Sequence, residues 1–271
     1  MAKKRATPVP RTAAATPPSR WLALSYAPVA PFSLRPSAST SAGGKTLLLP
    51  TPYAVKLALV DATIRSEGIA AGETLFEDLK RTAVGLLPAE HACVTNTFAR
   101  SLKKTRGAKQ GAQEVDDGEE EDGSEEGGWP FSRTLLYREI CVLSGPLTVA
   151  LGLREDRLRE PFERAARGVN YFGKRGGFFQ LLRMDVIDWL DARTVVVDPL
   201  GWEPKVTFVG EVACVLDDLG SAATLDAVSP FSGASAAWGR DRVAQTRLLP
   251  VRRVATGSHF TAYERLPADQ N

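Results

Sequence analysis

Two adjacent cations in a glycine-rich, aromatic segment are the residues best suited to chemistry in this sequence. The stretch NYFGKRGGFFQLL, residues 170–182, places Lys174 and Arg175 among three glycines and four aromatic side chains. Glycines let a backbone approach a ligand closely and adopt positive φ angles. The cations can bind phosphates, and Tyr171 and Phe172 can stack on nucleobases. The segment predicts a polyanion site; the alternative is a helix-to-strand turn with core aromatics and solvated cations.

A second anion site is predicted at the start of the first helix. Tyr53 and Lys56 lie one turn apart in TPYAVKLALVDATIR, near the end of the helix where the dipole favours negative charge. A glycine loop opposite this helix start would place two anion sites on one sheet edge. The stretch ARSLKKTR adds Lys103 and Lys104, and Arg138 follows in the next strand. All of these residues are candidates for RNA binding.

The charge distribution also indicates a polyanionic partner. The formal net charge is only +2, but residues 114–126, EVDDGEEEDGSEE, hold nine of the 32 acidic residues. Outside this segment 34 basic residues face 23 acidic ones, a balance of +11. A basic body that carries one acidic loop is typical of a protein with a nucleic-acid partner.

No cofactor, metal or catalytic residue is predicted. Cys93, Cys141 and Cys214 are far apart and form no CxxC pair, so we interpret them as buried free thiols in a reducing cytosol. The stretch AGGKT lacks the first glycine and the immediate helix of a phosphate-binding loop. No apolar run reaches the roughly 18 residues of a membrane span, which predicts a cytoplasmic protein without a membrane partner.

Three aspartates recur at every third position in DVIDWLDART. On a helix, Asp185, Asp188 and Asp191 would share one broad face, where a metal site or an acid pair is conceivable. We interpret them instead as a solvated helical face, with Trp189 and Leu190 turned towards the core.

Alternating strands and helices are expected to position these residues. The helix that begins at Pro52 is capped by Thr51 and ended by Gly68. A long hairpin follows, and its second arm bends at Gly145. The predicted order is strand WLALSYAPVA, helix PYAVKLALVDATIRSE, strand HACVTNTFARSLKKTR, strand SRTLLYREICVLSGPLTVALGL, helix REPFERAARG and strand GGFFQLLRM.

The order β-α-β-β-α-β predicts an α+β protein with a ferredoxin-like domain. We expect a disordered basic tail over residues 1–20 and the ferredoxin-like domain over 21–185. Residues 107–128 are predicted to form an acidic disordered loop at the hairpin tip. A smaller β-rich C-terminal region is expected over residues 186–271.

The order of these motifs resembles the RAMP-type subunits of CRISPR effector complexes, and most closely the Cas-five family of type I Cascade. One hallmark is the aromatic-Gly-Lys-Arg-Gly element, residues 171–176, after a short helix. The other is the Pro-aromatic start of the first helix, Pro52 and Tyr53. The resemblance covers residues 21–182.

This resemblance implies a ferredoxin-like, RNA-recognition-motif-like RAMP domain with a smaller C-terminal β region. Such a subunit grips the 5′ handle of the CRISPR RNA and caps one end of a ribonucleoprotein complex for antiviral defence. It contacts the large subunit and the first backbone RAMP subunit, and meets target DNA only through the complex. Its extended hairpin, the thumb, would span residues 99–134. The thumb tip here is acidic, so we expect it to face solvent or a basic partner protein.

Two further functions stay open beside a non-catalytic RNA-binding subunit. The first is a metal-independent endoribonuclease that matures CRISPR RNA, with His91 or His259 as general acid–base. The family's tyrosine, lysine and histidine set has no residue-by-residue match here. The second is an assembly protein that does not bind RNA and whose positive charge faces an acidic protein.

Overall fold

A five-stranded antiparallel sheet forms the centre of the molecule. The computed structural model describes residues 16–37, 44–104, 131–173, 176–205, 208–229 and 232–268. The strands of the central sheet are, in spatial order, β6 (Phe179–Ile187), β1 (Arg20–Pro28), β5 (Leu147–Leu153), β2 (Val84–Leu87) and β7 (Val195–Val197). Because β1 pairs with both β5 and β6, it occupies an inner position.

Helices cover one face of this sheet. They are α1 (Pro52–Glu67), α2 (Ile69–Lys80) and α3 (Arg159–Gly168), with a 3-10 turn, Asp156–Leu158, before α3. Alternate residues of a strand point to the same face. On β1 these are Leu22, Leu24 and Tyr26, which are buried against the helices. The hydroxyl of Tyr26 donates a hydrogen bond of 3.1 Å to the carbonyl of Ala166 in α3.

The first helix begins and ends as the sequence predicts. The hydroxyl of Thr51 accepts a hydrogen bond of 3.3 Å from the amide of Ala54, and Pro52 occupies the first turn. Gly68 ends the helix with a φ of 92°, a conformation that side chains other than glycine rarely adopt. The helix α2, which follows at once, was not predicted.

The long hairpin forms a second sheet. This four-stranded sheet contains β10 (Val251–Thr256), β11 (Phe260–Arg265), β3 (His91–Lys104) and β4 (Phe131–Ser144) in spatial order. Strands β3 and β4 are antiparallel from their first to their last pair, which confirms the predicted hairpin. Gly145, at a φ of 87°, makes the predicted bend into β5. The acidic loop at 107–128 lies outside the described residues.

The C-terminal residues pack into the same core as the rest of the chain. Strands β8 (Val212–Leu219) and β9 (Arg242–Leu249) form a hairpin, and α4 (Leu225–Val228) lies between them in sequence. Leu216, Leu219 and Leu249 are buried in one cluster with residues of α1 and β1. Residues on both sides of the predicted boundary at 185/186 therefore share one hydrophobic core.

Two sequence-based assignments were wrong. The second strand of the central sheet is β2, a four-residue apolar run too short to identify, whereas HACVTNT begins the second sheet. The expected helix over Asp185 to Asp191 does not form: Asp185, Val186 and Ile187 end β6 and pair with β1, and the residues from Asp188 to Asp191 follow the strand without helical structure. Trp189 follows that strand and is 83% exposed rather than turned towards the core.

A buried ion pair joins α1 to the C-terminal hairpin. The ammonium of Lys56 lies 2.7 Å from a carboxylate oxygen of Asp218, and the side chains are 0% and 3% exposed. Burial lowers the pKa of Lys56 and raises that of Asp218, because desolvation penalises each charged form. Lys56 therefore does not present its charge to a ligand here, and its prediction as an RNA contact is corrected.

Removing one member of this pair should destabilise the fold strongly. We expect Asp218→Ala to lower the free energy of unfolding by roughly 3–5 kcal/mol, because Lys56 is left buried without a counter-charge. The double variant Lys56→Met with Asp218→Leu should recover most of the loss. Urea unfolding measures the free energy of unfolding of both variants. The control is Glu160→Ala, which breaks an exposed pair with Arg164 and should lower the free energy of unfolding by no more than about 1 kcal/mol. Equal losses in Asp218→Ala and the control would refute this role of the pair.

Candidate nucleic-acid interface

The glycine-rich loop is a tight reversal of the chain between α3 and β6. Tyr171 and Phe178 form a β-bridge that closes it. Gly173 and Gly176 have φ angles of 69° and 114°, where other residues would be strained. The predicted cations Lys174 and Arg175 come between these glycines in sequence and lie outside the described residues.

Buried aromatic rings anchor the base of this loop. Phe172 is 1% exposed and packs edge-on against Tyr26 and Phe179, with ring centroids 5.1 Å apart in each pair. Phe179 in turn contacts Phe32 at 5.1 Å. Such edge-on pairs add stability beyond the area they bury. Phe172 is therefore a core residue and not available to stack on a base, whereas Phe178 is 47% exposed.

Tyr171 is tied to the helical face but remains partly exposed. Its hydroxyl donates a hydrogen bond of 3.2 Å to the carboxylate of Asp61 in α1. The same carboxylate oxygen accepts from the guanidinium of Arg65 at 2.9 Å, and Arg65 also donates to the carbonyl of Gly168. These bonds hold the half-buried ring of Tyr171 in one orientation against α1.

Residues between β1 and α1 form hydrogen bonds with β4, near the base of the hairpin. The backbones of Phe32 and Cys141 exchange two hydrogen bonds of 3.0 and 2.7 Å. Further along, the carbonyl of Gly44 accepts from the amide of Glu139 at 2.6 Å. The Glu139 carboxylate accepts from the ammonium of Lys45 at 2.7 Å, which raises the pKa of Lys45. The neighbouring residue, Arg138, therefore lies at the base of the hairpin.

The same segment links the hairpin base to the glycine-rich loop. The amide of Val29 donates to the carbonyl of Phe178 at 2.9 Å. The side chain of Leu34 lies 3.3 Å from where a Cβ on Gly173 would be. Residues 29–34 thus contact both the loop that contains Tyr171 and the strand that contains Arg138.

Lys103 and Lys104 lie far from this junction. They are the last residues of β3 and pair with Ser132 and Phe131. Arg138 pairs with Thr97, six positions earlier in β3. At about 3.4 Å per residue, the two lysines are roughly 20 Å further out along the hairpin.

Tyr53 belongs to a separate cluster at the start of α1. The guanidinium of Arg242 lies 4.1 Å from its ring centroid and 5.7 Å from that of Trp238. Arg242 also pairs with Asp217 and donates to the hydroxyl of Ser37 at 2.7 Å. Burial raises the pKa of Tyr53. Tyr53 precedes Asp61, the partner of Tyr171, by two helical turns or about 12 Å.

The sequence analysis did not predict that Arg242 contacts the ring of Tyr53 and pairs with Asp217. The stretch WGRDR, residues 238–242, combines a tryptophan with two arginines and could have been noticed as an aromatic and basic motif. Asp217 could not have been assigned as its partner, since 25 residues separate the two.

The described residues show few other groups suited to chemistry. All three cysteines are free; Cys141 and Cys214 are buried, which raises the pKa of each thiol to about 12, and Cys93 is half-buried. Across the described ranges no three His, Cys, Asp or Glu side chains are grouped to hold a metal ion. None of the described helices is both long and apolar enough to cross a membrane.

One sequence comparison points to CRISPR systems. No protein-family model matches the chain. The CRISPR-associated protein Cas5 of Archaeoglobus fulgidus is 33% identical over 76 residues, which are 28% of this chain and 33% of that protein. A crystal structure of a CRISPR protein from the same organism aligns over 91% of this chain and 92% of that chain, with 10% identity and a TM-score of 0.39. The sequence similarity, which spans a third of the relative, supports a CRISPR-associated protein related to Cas5.

The contact between Gly44 and the hairpin should tolerate no side chain. A Cβ at this position would lie 2.2 Å from the carbonyl oxygen of Tyr137, so one backbone must move. We expect Gly44→Ala to lower the free energy of unfolding by roughly 1–3 kcal/mol. In thermal or urea unfolding, the control Lys45→Ala should cost less than about 1 kcal/mol, because Lys45 is 71% exposed. A smaller effect for Gly44→Ala than for Lys45→Ala would show that this segment does not hold the hairpin.

Proposed function

We propose that this protein is a non-catalytic CRISPR RNA-binding subunit that caps the 5′ handle of the guide in a type I Cascade complex. The observation that carries the proposal is the glycine-rich loop. Its buried base is fixed by Phe172, and two glycines of positive φ flank the adjacent cations Lys174 and Arg175 in sequence. A rigid base below a loop that can approach phosphates closely is suited to holding a nucleic-acid backbone.

The topology supports the ferredoxin-like part of this proposal. Helices α1 and α2 connect β1 to β2, and α3 connects β5 to β6. These four strands lie side by side in the antiparallel order β6-β1-β5-β2. If β3 and β4 are regarded as an insertion between β2 and β5, the chain follows the β-α-β-β-α-β path.

The inserted hairpin corresponds in position to the thumb implied by the resemblance. Phe98 and Tyr137 form a cross-strand pair with ring centroids 5.4 Å apart, and they are 66% and 39% exposed. Exposed aromatic rings stack on bases without regard to sequence. We propose that this pair, together with Arg138, contacts RNA at the base of the thumb, and that Lys103 and Lys104 bind phosphates further out.

The positions of the two histidines support a role without catalysis. His91 pairs with Glu264 at the start of β3, whereas the carbonyl of His259 accepts a hydrogen bond from the amide of Asn96. Five residues of extended strand separate these places, or roughly 17 Å. The backbone positions of the two histidines therefore do not favour their acting together as the acid and base of one cleavage reaction.

Removing the loop cations should weaken RNA binding and its salt dependence. We expect Lys174→Ala with Arg175→Ala to lower the slope of log affinity against log salt by roughly 1.4, because two phosphate contacts to a single strand are lost. Filter binding of the handle RNA across salt concentrations measures this. The control Arg159→Ala with Arg164→Ala removes the same charge from exposed pairs on α3 and should leave the slope unchanged.

The identity of the RNA is tested by co-purification with the proteins of the native operon. Sequencing should recover discrete RNAs that share one 5′ end. RNAs of random sequence, or none after a high-salt wash, would contradict handle capping and favour an assembly protein. Cleavage of a repeat RNA in the presence of chelator, lost in His91→Ala or His259→Ala, would contradict the non-catalytic assignment.

A further inference from the structure

The face of the central sheet opposite the helices carries a second apolar cluster. Trp21 alternates with Leu22 on β1 and so points away from the helices. Its ring contacts that of Trp202, with centroids 6.0 Å apart and an interplanar angle of 42°. The cluster is completed by Ala83, Ala150 and Val196, with Ile187 and Leu190 packed against them.

A cavity of about 420 Å³ opens beside this cluster. Its lining includes Trp21, Trp189 and Trp202 and three prolines, which give part of its wall flat and rigid surfaces. The volume falls in the lower part of the range found for small-molecule sites. Trp189 is 83% exposed at this cavity, and the packing of the core gives no reason for a ring of this size to remain in water.

Two opposite charges line the same cavity without ion-pair partners among the described residues. Asp191 is occupied, since the guanidinium of Arg193 donates to both its carboxylate oxygens at 2.9 and 2.6 Å. Asp188 and Lys205 are exposed, and neither forms an ion pair in the described part of the chain. The cavity therefore offers aromatic faces, one carboxylate acceptor and one ammonium donor.

These groups select a flat ring with adjacent N–H donors and a phosphate. A carboxylate only accepts hydrogen bonds. The Watson–Crick edge of guanine presents two neighbouring N–H donors, whereas adenine, cytosine and uracil place acceptors beside their donors and would repel Asp188. The exposed ring of Trp189 can stack on the base, and Lys205 can bind the phosphate.

We propose that this cavity binds a guanine nucleotide, either free or within a single-stranded RNA. An arginine side chain of a partner protein shares the flat shape and the paired donors, but the like charge of Lys205 disfavours it. The site does not depend on handle capping, because Trp21 and the loop anchor Tyr26 point to opposite faces of the sheet.

Tryptophan fluorescence of the full chain, freed of nucleic acid, tests the proposal directly. Titration with GMP should give saturable quenching, with weaker binding of AMP, CMP and UMP. Trp189→Ala should weaken GMP binding at least about fivefold, as loss of one stacking ring predicts. Trp238→Ala, which removes another exposed tryptophan outside the cavity, is the matched control and should keep the affinity. Asp188→Asn should abolish the preference for GMP over AMP.

The source of the guanine and the alternative ligand are distinguished by two further titrations. Tight binding of UUGUU but not UUUUU, with weak binding of GMP, would assign the site to RNA; tight binding of GMP alone would assign it to a free nucleotide. Lys205→Glu should weaken GMP binding. If GMP binds neither the unaltered protein nor this variant, and the variant binds an arginine-rich peptide, the ligand is a partner protein and not a nucleotide. Absence of saturable GMP and UUGUU binding, or equal affinity in Trp189→Ala, overturns the proposal.

Discussion

The burial of β1 on both faces is the constraint on which both candidate sites depend. Its inner position in the sheet leaves no free edge; Leu22, Leu24 and Tyr26 lie in one apolar cluster, and Trp21 lies in the other. Tyr26, on one face, anchors the glycine-rich loop through Phe172, while Trp21, on the other, forms the floor of the tryptophan cavity. A shift of one residue in pairing would exchange Trp21 with Leu22 and disrupt both sites, so the register is strongly specified.

Buried charges also hold the C-terminal strands β8 and β9 in place against α1. The Lys56–Asp218 pair joins α1 to β8. Asp217, the residue before Asp218, pairs with Arg242, whose guanidinium lies against the ring of Tyr53. A buried pair gives less stability than its Coulomb energy suggests, because both ions lose their hydration. We expect a further effect on specificity, since a placement of β8 that keeps Lys56 buried away from Asp218 would leave its charge without this partner. This explains why one core contains residues that are distant in sequence.

Local patterns predicted α1, α3, β1, the hairpin and the bend at Gly145, because capping residues and hydrophobic periodicity act within a few positions. They failed where the secondary structure of a segment depends on pairing with residues that are distant in sequence. The four apolar residues of β2 carry no periodicity. Asp185, Asp188 and Asp191 match helical spacing, although Asp185 lies in β6 and pairs with β1. At the candidate site, Tyr171 was predicted from its sequence neighbours and stays a prediction. The burial of Lys56 and the contact of Arg242 with Tyr53 depend on residues more than 150 positions away, which no local pattern reveals.

The surplus of basic residues by itself locates no RNA site. Several arginines of α3 are paired with glutamates of the same helix or of α1, so the field around them is largely cancelled. The glycine-rich loop differs, because no acidic residue occurs between Glu163 and Asp185 in the sequence. A phosphate near the loop meets cations whose own segment carries no carboxylate, and the nearby carboxylate of Asp61 is itself paired with Arg65. The distribution of acids, more than the number of bases, therefore favours the loop over the helical surface as the site of the proposed RNA contact.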